Sequence, residues 1–244
     1  MTGLFAAEVL KLRTVRASWG LLFATVSVSA LAVWSAVVVA DRSLDLESAD
    51  GVRSILSVAA NGAVFVLVLG IMISAGEYRH RTANDTFLST PRRGRVIAAK
   101  LVSASAAGLG FGALSGGAAM LAAGLAFGAN GFSFPIASSA TWSAFAGVVL
   151  YGALFGAIGA ATGSLVRNQV AATVGWLAWL FIVEHIAIGF LPEIREWLPA
   201  AAGLSLLRGQ TQDLPSALTG AAVLAAYAVV IMGAAIITER HRDA

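Results

Sequence analysis

Six apolar runs dominate the chain, at residues 18–40, 55–75, 101–129, 142–166, 170–191 and 216–238. Each is long enough for a helix to cross a hydrocarbon core of about 30 Å, which takes roughly 20 residues. Inside such a core every backbone N–H and C=O must be satisfied within the protein, and a helix does this within its own segment. The predicted fold class is therefore an all-α polytopic membrane protein with six transmembrane helices, read as one domain over 1–244. Charged residues make up 12 % of the 244, against roughly 25 % in soluble domains; a surface that faces lipid requires fewer. The Val38-Val39-Ala40 triplet resembles a signal-peptidase site. Signal-peptide cores run to about 7–15 residues, so the longer run 18–40 is read as a span.

Six crossings put both ends of the chain on one side, and the basic residues indicate which side that is. Lys11, Arg13, Arg16, Arg79, Arg81, Arg92, Arg93, Arg95, Lys100, Arg167, Arg240 and Arg242 fall on one face, and Arg42, Arg53, Arg195 and Arg208 on the other. Lys and Arg accumulate on the cytosolic side of short loops. Both termini are accordingly expected in the cytosol. The net charge of +3 is explained by this asymmetry, so no nucleic-acid partner is expected. The chain has no cysteine, which excludes disulfides, thiolate metal sites and a Cys nucleophile.

Between the spans the pattern changes. Residues 1–16 place Phe5, Val9 and Leu12 on one helical face with Lys11, Arg13 and Arg16 near the end. That fits a helix lying in the inner membrane interface, or equally a basic flank of the first span. Residues 41–54 are net acidic and are expected outside. Residues 192–215 hold an apolar centre, 197–207, too short to cross; a re-entrant or interfacial segment on the outer face fits it. In the third run Gly108, Gly112, Gly116, Gly124 and Gly128 recur at multiples of four, and the fourth run has Gly152, Gly156, Gly159 and Gly163. Small-residue stripes let helix backbones approach closely, so Gly108, Gly112, Gly116, Gly152 and Gly156 are candidate packing positions.

The longest polar interval is 76–100, GEYRHRTANDTFLSTPRRGRVIAAK. Thr82 with Asp85 is a candidate capping box for a short helix through Phe87 and Leu88. Pro91 disfavours helical geometry at Thr90 and can occupy the first position of the next helix. The product is a short cytosolic helix between spans 2 and 3, placed where a soluble partner could push it; a merely topogenic basic loop has the same spacing.

At these residues the chain resembles the permease subunit of a type-2 ATP-binding-cassette (ABC) transporter, of a short bacterial, actinobacterial-like form. Glu77-Tyr78-Arg79-His80-Arg81-Thr82, then Pro91, the basic cluster and Lys100, is similar to the pattern Glu-x-Arg-x-Gly-Thr, Pro, basic cluster, Lys. Arg81 stands where the pattern has Gly. Arg167-Asn168-Gln169 before the fifth span and the half-spanning segment before the sixth also match. The resemblance implies a coupling helix carrying Glu77, Tyr78, Arg79, Arg81, Thr82, Asp85, Phe87 and Leu88 that docks on a cytosolic ATPase subunit. It further implies an N-terminal interfacial helix, a second permease copy or paralogue, and a substrate path between the two, with export favoured. Drugs, antibiotics, lipids and polysaccharides are all substrates within the family.

The chain carries no Gly-x-x-x-x-Gly-Lys-Ser/Thr loop, the backbone cradle that ATP phosphates require. ATP and Mg²⁺ are therefore expected in the partner, with no cofactor or metal on this chain. No Gly-x-Ser-Gly, His-Glu-x-x-His or paired intramembrane aspartates occur either, and no enzymatic activity is expected. Glu184-His185 is the acid and histidine placed well inside a span. Intramembrane ionisable residues are functional candidates: either they gate or line a substrate path, or they bond to the outer segment, with Arg195 as one possible partner. Two other functions compete: a secondary transporter, or a non-transporting membrane anchor or immunity subunit.

Overall fold

The structure, a computed structural model, describes residue 10 and residues 14–40, 45–79, 93–209 and 214–241. Six of its helical segments are long and apolar enough to cross a membrane: Arg16–Val39, Ala49–Gly76, Val96–Ala129, Ser139–Val166, Gln169–Phe190 and Ala217–Thr238. The fold is all-α and polytopic.

The first crossing, α1 (Arg16–Val39), shows why lipid is the outer solvent. It buries Ser18, Thr25, Ser29, Val33 and Val37 and turns Trp19, Phe23, Leu31 and Trp34 outward. A water-soluble helix would do the reverse. In a bilayer the large apolar side chains lose nothing by facing hydrocarbon, and small or hydroxylated ones favour close helix contact.

The second crossing is broken. A first arm, α2 (Ala49–Ser57), passes through a 3-10 turn, Val58–Gly62, into α3 (Ala63–Arg79). Ser48 caps α2 by accepting from Gly51 N–H at 3.0 Å. The 41–54 interval, read from sequence as a loop, is thus largely helical from Ala49, because Val52, Ile55 and Leu56 recur on one buried face while Asp50 stays outside. At the break, the Ser29 hydroxyl of α1 donates to Ala59 C=O at 2.9 Å, and Gly62 lets Thr25 and Ser29 approach.

The third crossing belongs to α4 (Arg93–Ala129), a helix of 37 residues. At 1.5 Å per residue it is about 55 Å long, far beyond one hydrocarbon core. The uncharged turn that follows is held by Glu47, whose carboxyl accepts from Ser133 N–H at 2.8 Å.

The bundle is built around α5 (Ser139–Val166). Its most apolar window is 72 % buried, against 17 % for Gln169–Phe190, so α5 is interior and the fifth crossing peripheral. It packs on α4 and α3, and also on α2 and the two last helices. Its glycines divide these contacts. Gly152 faces Gly108 of α4, Gly112 faces Val149, and Gly116 meets the Phe145 ring. On another side Gly159 and Gly163 face Leu67 and Ile71 of α3. Gly156 lies against Ala104, and Gly147 against Leu206. Arg167 ends α5 in the left-handed region, φ 57°, with its N–H on Gly163 C=O.

The fifth crossing is also irregular. It comprises α6 (Gln169–Ala178), a π turn at Trp179–Val183, and α7 (Glu184–Phe190). Asn168 caps α6 through Ala171 N–H at 3.1 Å. A 3-10 turn, Pro192–Trp197, then leads into α8 (Pro199–Arg208), and α9 (Ala217–His241) makes the last crossing.

Candidate functional site

The site is organised by α8, which is too short to span yet sits within the bundle. Pro199, Ala201, Ala202, Gly203, Ser205, Leu206 and Leu207 are buried. Small residues make this placement achievable. Gly203 receives the Tyr151 ring of α5, and Gly220 of α9 lies against Ala202 and Ser205.

A buried helix terminus presents unsatisfied backbone groups, and each costs about 1–3 kcal/mol when left without a partner. The sequence supplies α8 with no local cap: Leu198 occupies the capping position and makes no side-chain hydrogen bond there. Pro199 at the first position removes one donor outright. The next donor, Ala200 N–H, is met from another crossing. It donates to Oε2 of Glu184 at 3.1 Å, with Oε1 at 3.4 Å. Glu184 is 1 % exposed, so the carboxyl group lies away from solvent at the positive end of the α8 dipole, where an acid is favoured.

The other end of α8 is held with the opposite polarity. Arg208, in its last turn, donates from Nε to the Ser57 hydroxyl at 2.8 Å. Ser57 closes α2. The short helix α8 is therefore clamped between the second and fifth crossings by an acid at its start and a base at its end.

Trp179 and the Tyr151 and Tyr227 phenols are neighbours of Glu184. Tyr227 donates its hydroxyl to Trp197 C=O at 3.2 Å. Two apolar grooves meet at this tyrosine. The larger, about 740 Å³, runs from Trp197 and Leu218 along α9 to Tyr227 and Val230. The smaller, about 410 Å³, runs from Val166 and Ala171 past Trp176 and Trp179 to the same Tyr227 and Val230. Trp176 donates from Nε1 to the Thr162 hydroxyl at 2.9 Å, so its polar edge is satisfied and its apolar ring surface lines the groove. Together the grooves form a furrow along α9.

Glu184 and His185, adjacent in sequence, separate in space: Glu184 turns into the protein and His185 outward. Glu77, Tyr78 and Arg79 lie on the last turn of α3, and their side chains are outside the described residues. Arg81, Thr82, Asp85, Phe87 and Leu88 lie outside them too, as do most of the N-terminal 1–16 segment and residues 210–213. Gly108, Gly112, Gly116, Gly152 and Gly156 all lie in the α4–α5 region. Sequence reasoning missed Ala200, Tyr151, Tyr227, Ser57 and Arg208. One signal was available: a helix beginning Leu-Pro, with no Ser, Thr, Asp or Asn before it, must take its cap from elsewhere.

Among the described residues no three His, Asp or Glu side chains converge as metal ligands. No protein-family model, curated protein or solved structure matches the chain.

Proposed function

We propose that the chain is the membrane subunit of a type-2 ABC transporter. It would pair with a second permease, couple through 77–89 to a cytosolic ATPase that binds ATP and Mg²⁺, and carry substrate outward. The observation that carries this reading is a combination. Six crossings with a strongly basic interval between the second and third are joined to a short buried helix on the opposite side, just before the sixth. The Glu77-to-Lys100 motif and the absence of an ATP-binding loop support it. The buried α8 supports the re-entrant assignment of 192–215. On this reading both termini face the cytosol of a bacterial cell, and ATP is hydrolysed by the partner rather than by this chain.

Co-expression with a candidate ATPase tests it. Glu77→Ala is expected to reduce co-purification or permease-stimulated ATP hydrolysis at least severalfold while membrane insertion is retained. Unchanged coupling in that variant would refute the assignment.

One observation favours the secondary-transporter reading. The second crossing of each three-span half is interrupted, by the 3-10 turn Val58–Gly62 and the π turn Trp179–Val183. Paired interruptions in corresponding positions mark binding sites in inverted-repeat transporters. Ion-gradient-driven uptake by proteoliposomes holding this chain alone would establish that alternative; no uptake without an ATPase is expected on the permease reading.

A further inference from the structure

The furrow along α9 is lined by three of the chain's six tryptophans, Trp176, Trp179 and Trp197, with Tyr227 where its two parts meet. Tryptophan ordinarily marks the membrane–water interface. Trp179 is not placed for that role: it lies midway along the fifth crossing, Gln169–Phe190, about 15 Å from either end at 1.5 Å per residue. The hydroxyls lining the furrow are already bonded within the protein. Thr162 donates to Ile158 C=O and accepts from Trp176, Thr219 is paired with Ser216, and Tyr227 donates to Trp197 C=O. A sugar or a phosphate entering here would lose water without gaining partners, which is unfavourable. Among the described residues no charged side chain lines either part. The ionisable group set behind them is the buried Glu184, a neighbour of both Trp179 and Tyr227.

We propose that the furrow binds lipophilic cations, molecules with an apolar aromatic body and a shielded or delocalised positive charge. Its two parts, about 740 and 410 Å³, fall in the range of small-molecule sites, roughly 300–1,000 Å³. Aromatic faces attract a cation through the ring quadrupole, and indole does so best. The Glu184 carboxylate, held by Ala200 N–H, sets the sign of the field: it favours a cation and disfavours an anion of the same shape. With charges roughly 10 Å apart at an effective dielectric of about 20, that preference is on the order of tenfold in affinity. Lipid tails fill the furrow when no ligand is bound; they account for its apolar lining but not for a carboxylate behind its aromatic rings. The inference adds a substrate class to the permease reading, yet it is tested by binding alone, without an ATPase, so the two fail separately.

The probes are tetraphenylphosphonium and tetraphenylborate, ions of the same shape and opposite charge. Each is measured separately, by equilibrium dialysis against the full chain in phosphatidylcholine nanodiscs and against empty nanodiscs. After subtraction of the empty-disc signal, the parent is expected to bind the phosphonium saturably and about tenfold more tightly than the borate. Glu184→Gln keeps an acceptor oxygen for Ala200 N–H and removes the charge; it is expected to lose that preference. Ala226→Trp fills the larger part of the furrow from an exposed position on α9 and is expected to weaken phosphonium binding at least severalfold. Leu121→Trp, on the exposed side of α4, is expected to bind as the parent does. Should Glu184→Gln fail to fold, the contrast between Ala226→Trp and Leu121→Trp still locates the site. The proposal is overturned by phosphonium binding no greater than in empty nanodiscs, which would leave lipid tails as the sole occupants. It is equally overturned by equal affinity for the two ions, by Glu184→Gln keeping the parent's preference, or by Ala226→Trp binding as the parent does.

Discussion

Gly152 of α5 and Gly108 of α4 lie back to back, so close that a Cβ on Gly152 would sit 2.6 Å from the Gly108 carbonyl oxygen. The obstacle is backbone, which cannot rotate aside as a side chain can. Gly152→Ala is therefore expected to lower stability by about 1–3 kcal/mol, the usual cost of overpacking. Gly110, in the same helix, has open space around its Cβ position. Gly110→Ala should stay within about 1 kcal/mol of the parent, because there only the helix propensity changes. Thermal unfolding of the two variants in detergent, followed by size-exclusion chromatography, checks the contrast.

The Arg208–Ser57 bond at 2.8 Å is the second anchor of α8. Ser57→Ala leaves a half-buried guanidinium without that acceptor, and hydrogen bonds to charged groups contribute about 1.5–3 kcal/mol. A loss in that range is expected from equilibrium unfolding. Arg208→Lys should recover little of it, since a flexible ammonium does not reproduce the directed Nε–H. The double variant Ser57→Ala with Arg208→Lys should cost clearly less than the sum of the singles, because the two residues share one interaction.

The proposed orientation yields a labelling outcome in intact cells. The Ser133 position lies in the outer turn after α4, and Asn168 in the turn after α5. On a chain without native cysteine, Ser133→Cys should react with a membrane-impermeant maleimide added outside. Asn168→Cys should react only after the membrane is permeabilised. Reversed accessibility would invert the topology and with it the cytosolic placement of 76–100.

The number and nature of the crossings were legible in the sequence, because the demand for satisfied backbone groups in hydrocarbon turns long apolar runs into helices whatever their neighbours are. The glycine spacings in the third and fourth runs were legible as helical stripes for the same local reason. Which stripe meets which helix was not. Gly152 faces α4 whereas Gly159 faces α3, and that depends on how three helices surround α5. The break at Val58–Gly62 falls where Asn61 and Gly62 interrupt the second apolar run, whereas the one at Trp179–Val183 was hidden, since an uninterrupted apolar run hides a change of hydrogen-bond register.

Glu184 marks the boundary most clearly. Its sequence position alone made it a functional candidate, because an ionisable group within a span needs a partner. That the partner is the N–H of Ala200, 16 residues on, was decided only when α8 folded back among the crossings. Hydropathy reports what a segment can be immersed in, and it determined six helices in lipid. Capping, clamping and the furrow beside α9 depend on atoms brought together from distant segments, and only the tertiary structure could decide them.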